Sequence, residues 1–136
     1  MKKATRDWVR KAEADYRAAR KLSHEDDPLH DLSCFCCQQS AEKYLKALLE
    51  ELGRPIPRTH ILGDLVALLI PYYPLLRSFQ RGLKFLTRFA VDIRYPSDWA
   101  TKRQAASALR WAGEVRAACR TLLGIAPSRG RRRRSP

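Results

Sequence analysis

The segment Gln38-Gln39-Ser40-Ala41-Glu42-Lys43-Tyr44-Leu45-Lys46 sets amides, a carboxylate and two ammonium groups into an otherwise apolar stretch. Read as a helix, Gln39, Lys43 and Lys46 follow at steps of four and three and share a face. Glu42 precedes Lys46 by four residues, the favourable order for an ion pair. A second set, Arg77, Arg81, Lys84 and Arg88, repeats at four, three and four, with no acidic residue from Leu75 to Val91. That spacing puts cations about one helical turn apart. It suits the successive phosphates of a nucleic acid or the polyphosphate of a nucleotide, and it equally suits a solubilising face.

Other chemistry is spelled less distinctly. His24 and His30 flank Glu25, Asp26, Asp27 and Asp31 without the spacing of a ligand set, so a solvated capping turn is expected and no metal. Of Cys34, Cys36, Cys37 and Cys119, Cys34 and Cys37 alone are separated by two residues, the spacing of half a zinc knuckle or of a redox motif, and no second such pair accompanies them. All four are expected to be small buried hydrophobes in a reducing cytoplasm. A Gly-rich phosphate loop, a paired-His helix and a nucleophile elbow are all missing, so catalysis is not the default and no cofactor is expected.

These groups must be positioned by helices. Periodicity predicts five: about Thr5 to Leu22, with Trp8, Ala12, Tyr16 and Ala19 inward; Leu29 to Leu52; His60 to about Ile70, capped by Thr59; Leu75 to Ile93; and Thr101 to Leu123. The second has an expected apolar stripe of Leu32, Phe35, Cys36, Leu45, Leu48, Leu49 and Leu52, and Gly53 is its expected left-handed stop. On the fourth, Leu76, Phe79, Leu83, Leu86, Ala90 and Ile93 form a seam, and Phe35, Phe79, Phe85 and Phe89 supply bulk. The fifth turns Ala105, Ala108, Ala112, Val115, Cys119 and Leu122 inward and stops at Gly124. Pro55 and Pro57 make the segment after the second helix a stiff extended connector. Trp99 and Trp111 can serve either a core or an interface.

Four long amphipathic helices and one short one on brief connections predict an all-α, antiparallel (up-down) four-helix bundle with one additional short helix over residues 1–125. The 136 residues make one domain, and 45% apolar against 30% charged composition argues against wholesale disorder. The exception is an Arg-rich tail, 126–136, expected to be disordered. The net charge is +13, and the five arginines among the last eight residues leave +8 on the body, a potential that draws phosphates, nucleic acid or an acidic surface. No apolar run reaches the roughly 18 residues of a membrane span, and a soluble cytoplasmic chain is expected.

Three blocks in order carry a resemblance: Cys36-Cys37-Gln38-Gln39-Ser40-Ala41-Glu42-Lys43-Tyr44-Leu45-Lys46-Ala47-Leu48; then Thr59-His60-Ile61-Leu62; then Ile93-Arg94-Tyr95-Pro96-Ser97-Asp98. Together they resemble the HEPN domain family over about Arg6 to Leu123. The resemblance implies a prokaryotic helical bundle, commonly a homodimer, with a tetramer also open. It further implies a frequent pairing with a minimal nucleotidyltransferase and a role as a nucleotide-binding or toxin-antitoxin component. Carried over by position, the implied ligand-binding residues are Gln39, Glu42, Lys43, Lys46, His60, Arg94 and Tyr95. Lys43, Lys46 and Arg94 would donate charge-assisted hydrogen bonds, while His60 and Tyr95 could bond or stack on a base. The same residues could instead form an internal ion-pair network that fixes helix register.

Some members of that family resemble metal-independent ribonucleases marked by an Arg followed after four to six residues by a His. Arg54 and His60, with five residues between, match that spacing, and Arg94 is the other candidate Arg, with no His after it. As a catalytic pair, the Arg would stabilise developing phosphorane charge and the His would act on the 2′-hydroxyl proton. The expected function is a stand-alone, non-catalytic HEPN module that dimerises through bundle faces and binds a nucleotide or a nucleotidyltransferase partner at the polar cluster. The alternatives are a metal-independent endoribonuclease and a purely structural dimeric interaction protein.

Overall fold

A computed structural model describes residues 1–24, 26, 28–91 and 96–127. Among them are five α-helices and no strand: α1 (Lys3–Ser23), α2 (His30–Glu51), α3 (Leu62–Leu69), α4 (Gln80–Val91) and α5 (Lys102–Leu122), with a 3₁₀ helix (Pro74–Phe79) leading into α4. The chain is an all-helical packed bundle.

Side-chain pairs set the directions. Thr5 Oγ1 donates to Glu51 Oε1 (2.8 Å), Lys43 Nζ to Asp15 Oδ2 (2.6 Å) and Ser33 Oγ to the Ala19 carbonyl (2.9 Å), so α1 and α2 form an antiparallel hairpin. Glu51 also accepts from the backbone N–H of Lys2 (3.1 Å), placing a carboxylate at the N-terminus of α1, where the helix dipole favours it. Asp31 Oδ1 accepts from the Ala100 N–H at one end of α5, and Arg120 reaches Tyr44 near the other, so α5 runs parallel to α2. Between them α4 descends, its Thr87 Oγ1 accepting from the Leu62 N–H at the start of α3 (3.1 Å).

The stops and starts follow from local chemistry. Gly53 (φ 70°) and Gly124 (φ 75°) adopt the left-handed conformation after α2 and α5, each with the paired return hydrogen bonds of a Schellman cap. At the start of α5, Thr101 and Gln104 form a reciprocal capping box.

Three expected details differ. α3 begins at Leu62, because the extended geometry imposed by Pro55 and Pro57 persists through Ile61; Thr59 Oγ1 caps only a local turn, at the Ile61 N–H. Residues Leu75 to Phe79 are 3₁₀ rather than α, which shifts the register, so that Phe89 rather than Ala90 completes the buried seam with Leu83 and Leu86. Leu32 and Phe35 are exposed, and Cys34, Cys37, Ala41 and Tyr44 are buried instead. Between Cys37 and Leu49, α2 is enclosed almost all round as the spine of the bundle, so no single stripe describes it. Trp111 packs against the core, whereas Trp99 is 75% exposed. Ile93 and the tail from Ser128 onward lie outside the described residues, and no described helix is long and apolar enough to cross a membrane.

Candidate functional site

The helical spacing of Gln38, Glu42 and Lys46 stacks three polar side chains at intervals of four on the spine, where apolar neighbours bury them. Burial alone would force Glu42 toward its neutral form, so its charge has to be answered locally. Lys46 Nζ lies 2.9 Å from Oε2, and Gln38 Nε2 donates to Oε1 at 3.0 Å. Burial pushes the Glu42 pKa up, but the hydrogen bonds from Lys46, His60 and Gln38 outweigh it and hold the carboxyl below its ordinary range. The Gln38 amide is fully used as well: Nε2 also donates to the His60 carbonyl (3.1 Å), and Oε1 accepts from Gln39 Nε2 (2.8 Å). Lys46 completes its surroundings with the Trp8 ring of α1, 5.8 Å from its centroid.

The extended connector delivers His60 to this network. Its six residues from Pro55 run back alongside α2, and His60 Nδ1 comes to 3.0 Å from Glu42 Oε1. The Glu42 side chain is 5% exposed and the His60 side chain 68%. A buried carboxylate thus holds one ring nitrogen while the rest of the imidazole faces solvent. The Leu62 N–H is bonded to Thr87, so the connector enters α3 beside the C-terminal half of α4.

Of the sequence candidates, Gln39, Glu42, Lys46 and His60 come together. Lys43 sits one position on, roughly 100° round the helix, and turns to α1, where Asp15 takes its ammonium at 2.6 Å. Arg94 and Tyr95 lie outside the described residues. Arg54 stands past the far end of α2, and the nine residues from Glu42 to Glu51 span roughly 14 Å at 1.5 Å per helical residue. Its guanidinium packs over the Tyr72 ring at 5.9 Å, and no hydrogen bond joins it to His60. Arg77, Arg81, Lys84 and Arg88 are all exposed, on the side of the 3₁₀ helix and α4 opposite Leu83 and Leu86. None of the four is in an ion pair among the described residues; Arg88 lies 5.7 Å from the centroid of the Phe85 ring.

A second network was not anticipated from sequence. Glu13 of α1 receives Arg116 of α5 through both Nε (2.5 Å) and Nη2 (2.9 Å), and accepts from the Tyr44 hydroxyl of α2. Arg120 adds its charge at 3.7 Å. Burial raises the Glu13 pKa, and the hydrogen bonds and charges of Arg116, Tyr44 and Arg120 more than reverse this, leaving it lowered. Four residues from three helices meet here; Arg116 and Arg120 are one turn apart on α5, but no spacing links them to Glu13 or Tyr44.

The thiols behave as buried hydrophobes. Burial pushes Cys34 and Cys119 up to about 12 and raises Cys37 further, and half-buried Cys36 is raised too. Among the described residues no group of three or more His, Cys, Asp and Glu side chains converges as a metal site.

The HEPN domain model matches residues 5–122. The fold is similar to that of an archaeal HEPN homologue, 25% identical over 90% of this chain and 98% of the other (TM-score 0.72). It is also similar to a protein from Thermus thermophilus, 26% identical over 86% and 96% (TM-score 0.76). An HEPN domain protein from Thermotoga maritima, 19% identical over 90% and 96%, shares the fold (TM-score 0.57). No curated protein matches the chain.

Proposed function

The chain belongs to the HEPN domain family, and on that premise we propose that it is a non-catalytic module binding a phosphate-bearing ligand, RNA or a nucleotide, along the outer face of the 3₁₀ helix and α4. One observation carries this reading. The cations within the Glu42 network and its neighbour Lys43 are answered by carboxylates, whereas Arg77, Arg81, Lys84 and Arg88 stand exposed without a carboxylate partner among the described residues. Between Gly53 and Val91 there are six arginines and lysines and one acid, Asp64, so this layer of the bundle is basic as a whole. Such a face attracts polyanions by releasing their counterions. The Glu42 network then acts as the rigid support that positions His60.

The test is fluorescence anisotropy of a labelled single-stranded RNA over a salt series. Four phosphate contacts on a single strand contribute about 3 to the slope of log K against log salt. The variant R77A/R81A/K84A/R88A is expected to lose that part of the slope and most of the affinity. If it binds as the parent does, while truncation after Ile125 abolishes binding, the tail alone is responsible and the reading fails.

A second reading, a metal-independent endoribonuclease, is favoured by the Glu42–His60 pair, which leaves an oriented imidazole open to solvent. RNA cleavage in the presence of a chelator that disappears in His60→Ala would establish it; no cleavage is expected from the first reading. Assembly as a homodimer, and association with a minimal nucleotidyltransferase, belong to the same proposal. They are supported by an exposed apolar strip in which Leu29, Leu32 and Trp99 line one cleft and Phe35 stands one turn further along α2. Light scattering of the wild type and of Leu32→Glu reads the dimer directly.

A further inference from the structure

A cleft of about 490 Å³ opens between the proline connector and the end of α3, and no residue of the Glu42–His60 network lines it. We propose that it binds a small organic anion with a flat apolar body, an aromatic carboxylate in chemical class, with the Tyr72 ring as an aromatic wall and Arg54 as the anion's partner. Its size falls within the range of small-ligand sites, about 300–1,000 Å³. Leu49, Ile56 and Leu68 supply hydrocarbon lining, with Tyr72 as the one flat aromatic ring.

The two polar groups are held in advance of any ligand. Arg54 follows the left-handed Gly53, and its N–H is bonded to the Leu49 carbonyl at 3.0 Å. Pro55 restricts the backbone of the residue before it, Arg54, and the Tyr72 N–H is tied to the Leu69 carbonyl at 2.9 Å. Little backbone ordering is left for a ligand to impose. Among the described residues no carboxylate lies within ion-pair distance of the Arg54 guanidinium, which lies over the Tyr72 ring. That leaves a planar cation able to take a carboxylate in a two-pronged bond. The choice of ligand class follows from what is missing as much as from what is present. Arg54 and the Tyr72 hydroxyl are the only polar side-chain groups lining the cleft, so the hydroxyls and base edges of a nucleotide would be buried there without partners.

The inference is independent of the polyanion reading, since it uses neither the α4 cations nor His60. It is tested by titrating ¹⁵N-labelled full-length protein with 2-naphthoate and, separately, with its neutral counterpart 2-naphthamide. Saturable shifts at the amides of Arg54, Ile56, Ala67, Leu68 and Tyr72 are expected for naphthoate, with weaker binding of the amide. Arg54→Gln, at an exposed position, should weaken naphthoate about tenfold, the worth of one charge-assisted hydrogen bond, and leave naphthamide unchanged. Ala67→Trp, also at an exposed lining position, should block both. Failure to saturate, shifts elsewhere on the bundle, or equal affinities of the two compounds with Arg54→Gln indistinguishable from wild type would each overturn the site.

Discussion

Two carboxylates show how a charged residue earns a place inside a small bundle. Glu13 and Glu42 each collect three donors from more than one element, so each ties together segments far apart in the chain. Removing one leaves its partners stranded, which is costlier than the net value of the bonds. Glu13→Ala strands Arg116 and the Tyr44 hydroxyl, and is expected to lower the stability in urea by about 2–3 kcal/mol. Tyr44→Phe, which keeps Arg116 paired, should lose only about 1 kcal/mol. The cysteines make the opposite point. With Cys34 and Cys119 pushed up to about 12 by burial, and Cys37 higher, the thiolate is scarce at pH 8. Native protein treated with a thiol-specific chromogenic disulfide should show at most one fast group, half-buried Cys36, and all four after denaturation. Fast reaction of three would contradict the buried-hydrophobe role.

At the level of elements, the connector between α2 and α3 decides the site. Thr59-His60 reads as the opening of a helix, and had it been one, His60 would have begun α3. Two prolines keep the backbone extended to Ile61, and the extension carries the imidazole back along α2 to Glu42. The packing of α4 on α5 rests on a similar local choice. A Cβ at Gly82 would lie 2.1 Å from the nearest atom of the Trp111 ring, far inside contact distance. Gly82→Ala gains helix propensity of about 1 kcal/mol. The displaced indole, which also packs under Arg110 (5.3 Å), should cost more. The net expectation is a protein less stable by about 1–2 kcal/mol, read as a lower melting temperature. An unchanged or higher value would show that α4 and α5 can separate freely.

For the whole molecule, charge is distributed by layer. The α1–α2 hairpin carries most of the acids and uses them in pairs, whereas the layer of α3, the 3₁₀ helix and α4 presents cations outward. Stability and binding should therefore respond to different variables. Glu13 and Glu42 have folded-state pKa values below their ordinary 4.5, so the unfolded chain takes up their protons first on acidification. Their contribution is complete above about pH 4.5 and is lost as pH falls through the lowered folded values. Urea midpoints should stay nearly level from pH 7 to 5 and then drop, with a shallower drop in an E13Q/E42Q variant already destabilised at neutral pH. Binding to the α4 face, by contrast, should weaken with salt at any pH in that range.

The order of residues alone was enough for the helical architecture, the glycine stops and the inward alanines of α5, because these depend on periodicity and local backbone preference. Block order, through the family resemblance, also grouped Gln39, Glu42, Lys43, Lys46, His60, Arg94 and Tyr95; of these Gln39, Glu42, Lys46 and His60 adjoin one another, and Arg94 and Tyr95 lie outside the described residues. What each charge faces was settled only by the packing of helix on helix. Lys43 shares a helical face with Lys46 in sequence, yet a neighbouring helix supplies Asp15 and takes it away; Glu13 and Arg116, 103 residues apart, meet because two helices flank the same spine. Ion pairing depends on distances of a few ångströms across helices, and periodicity within one helix carries no information about its neighbour's register.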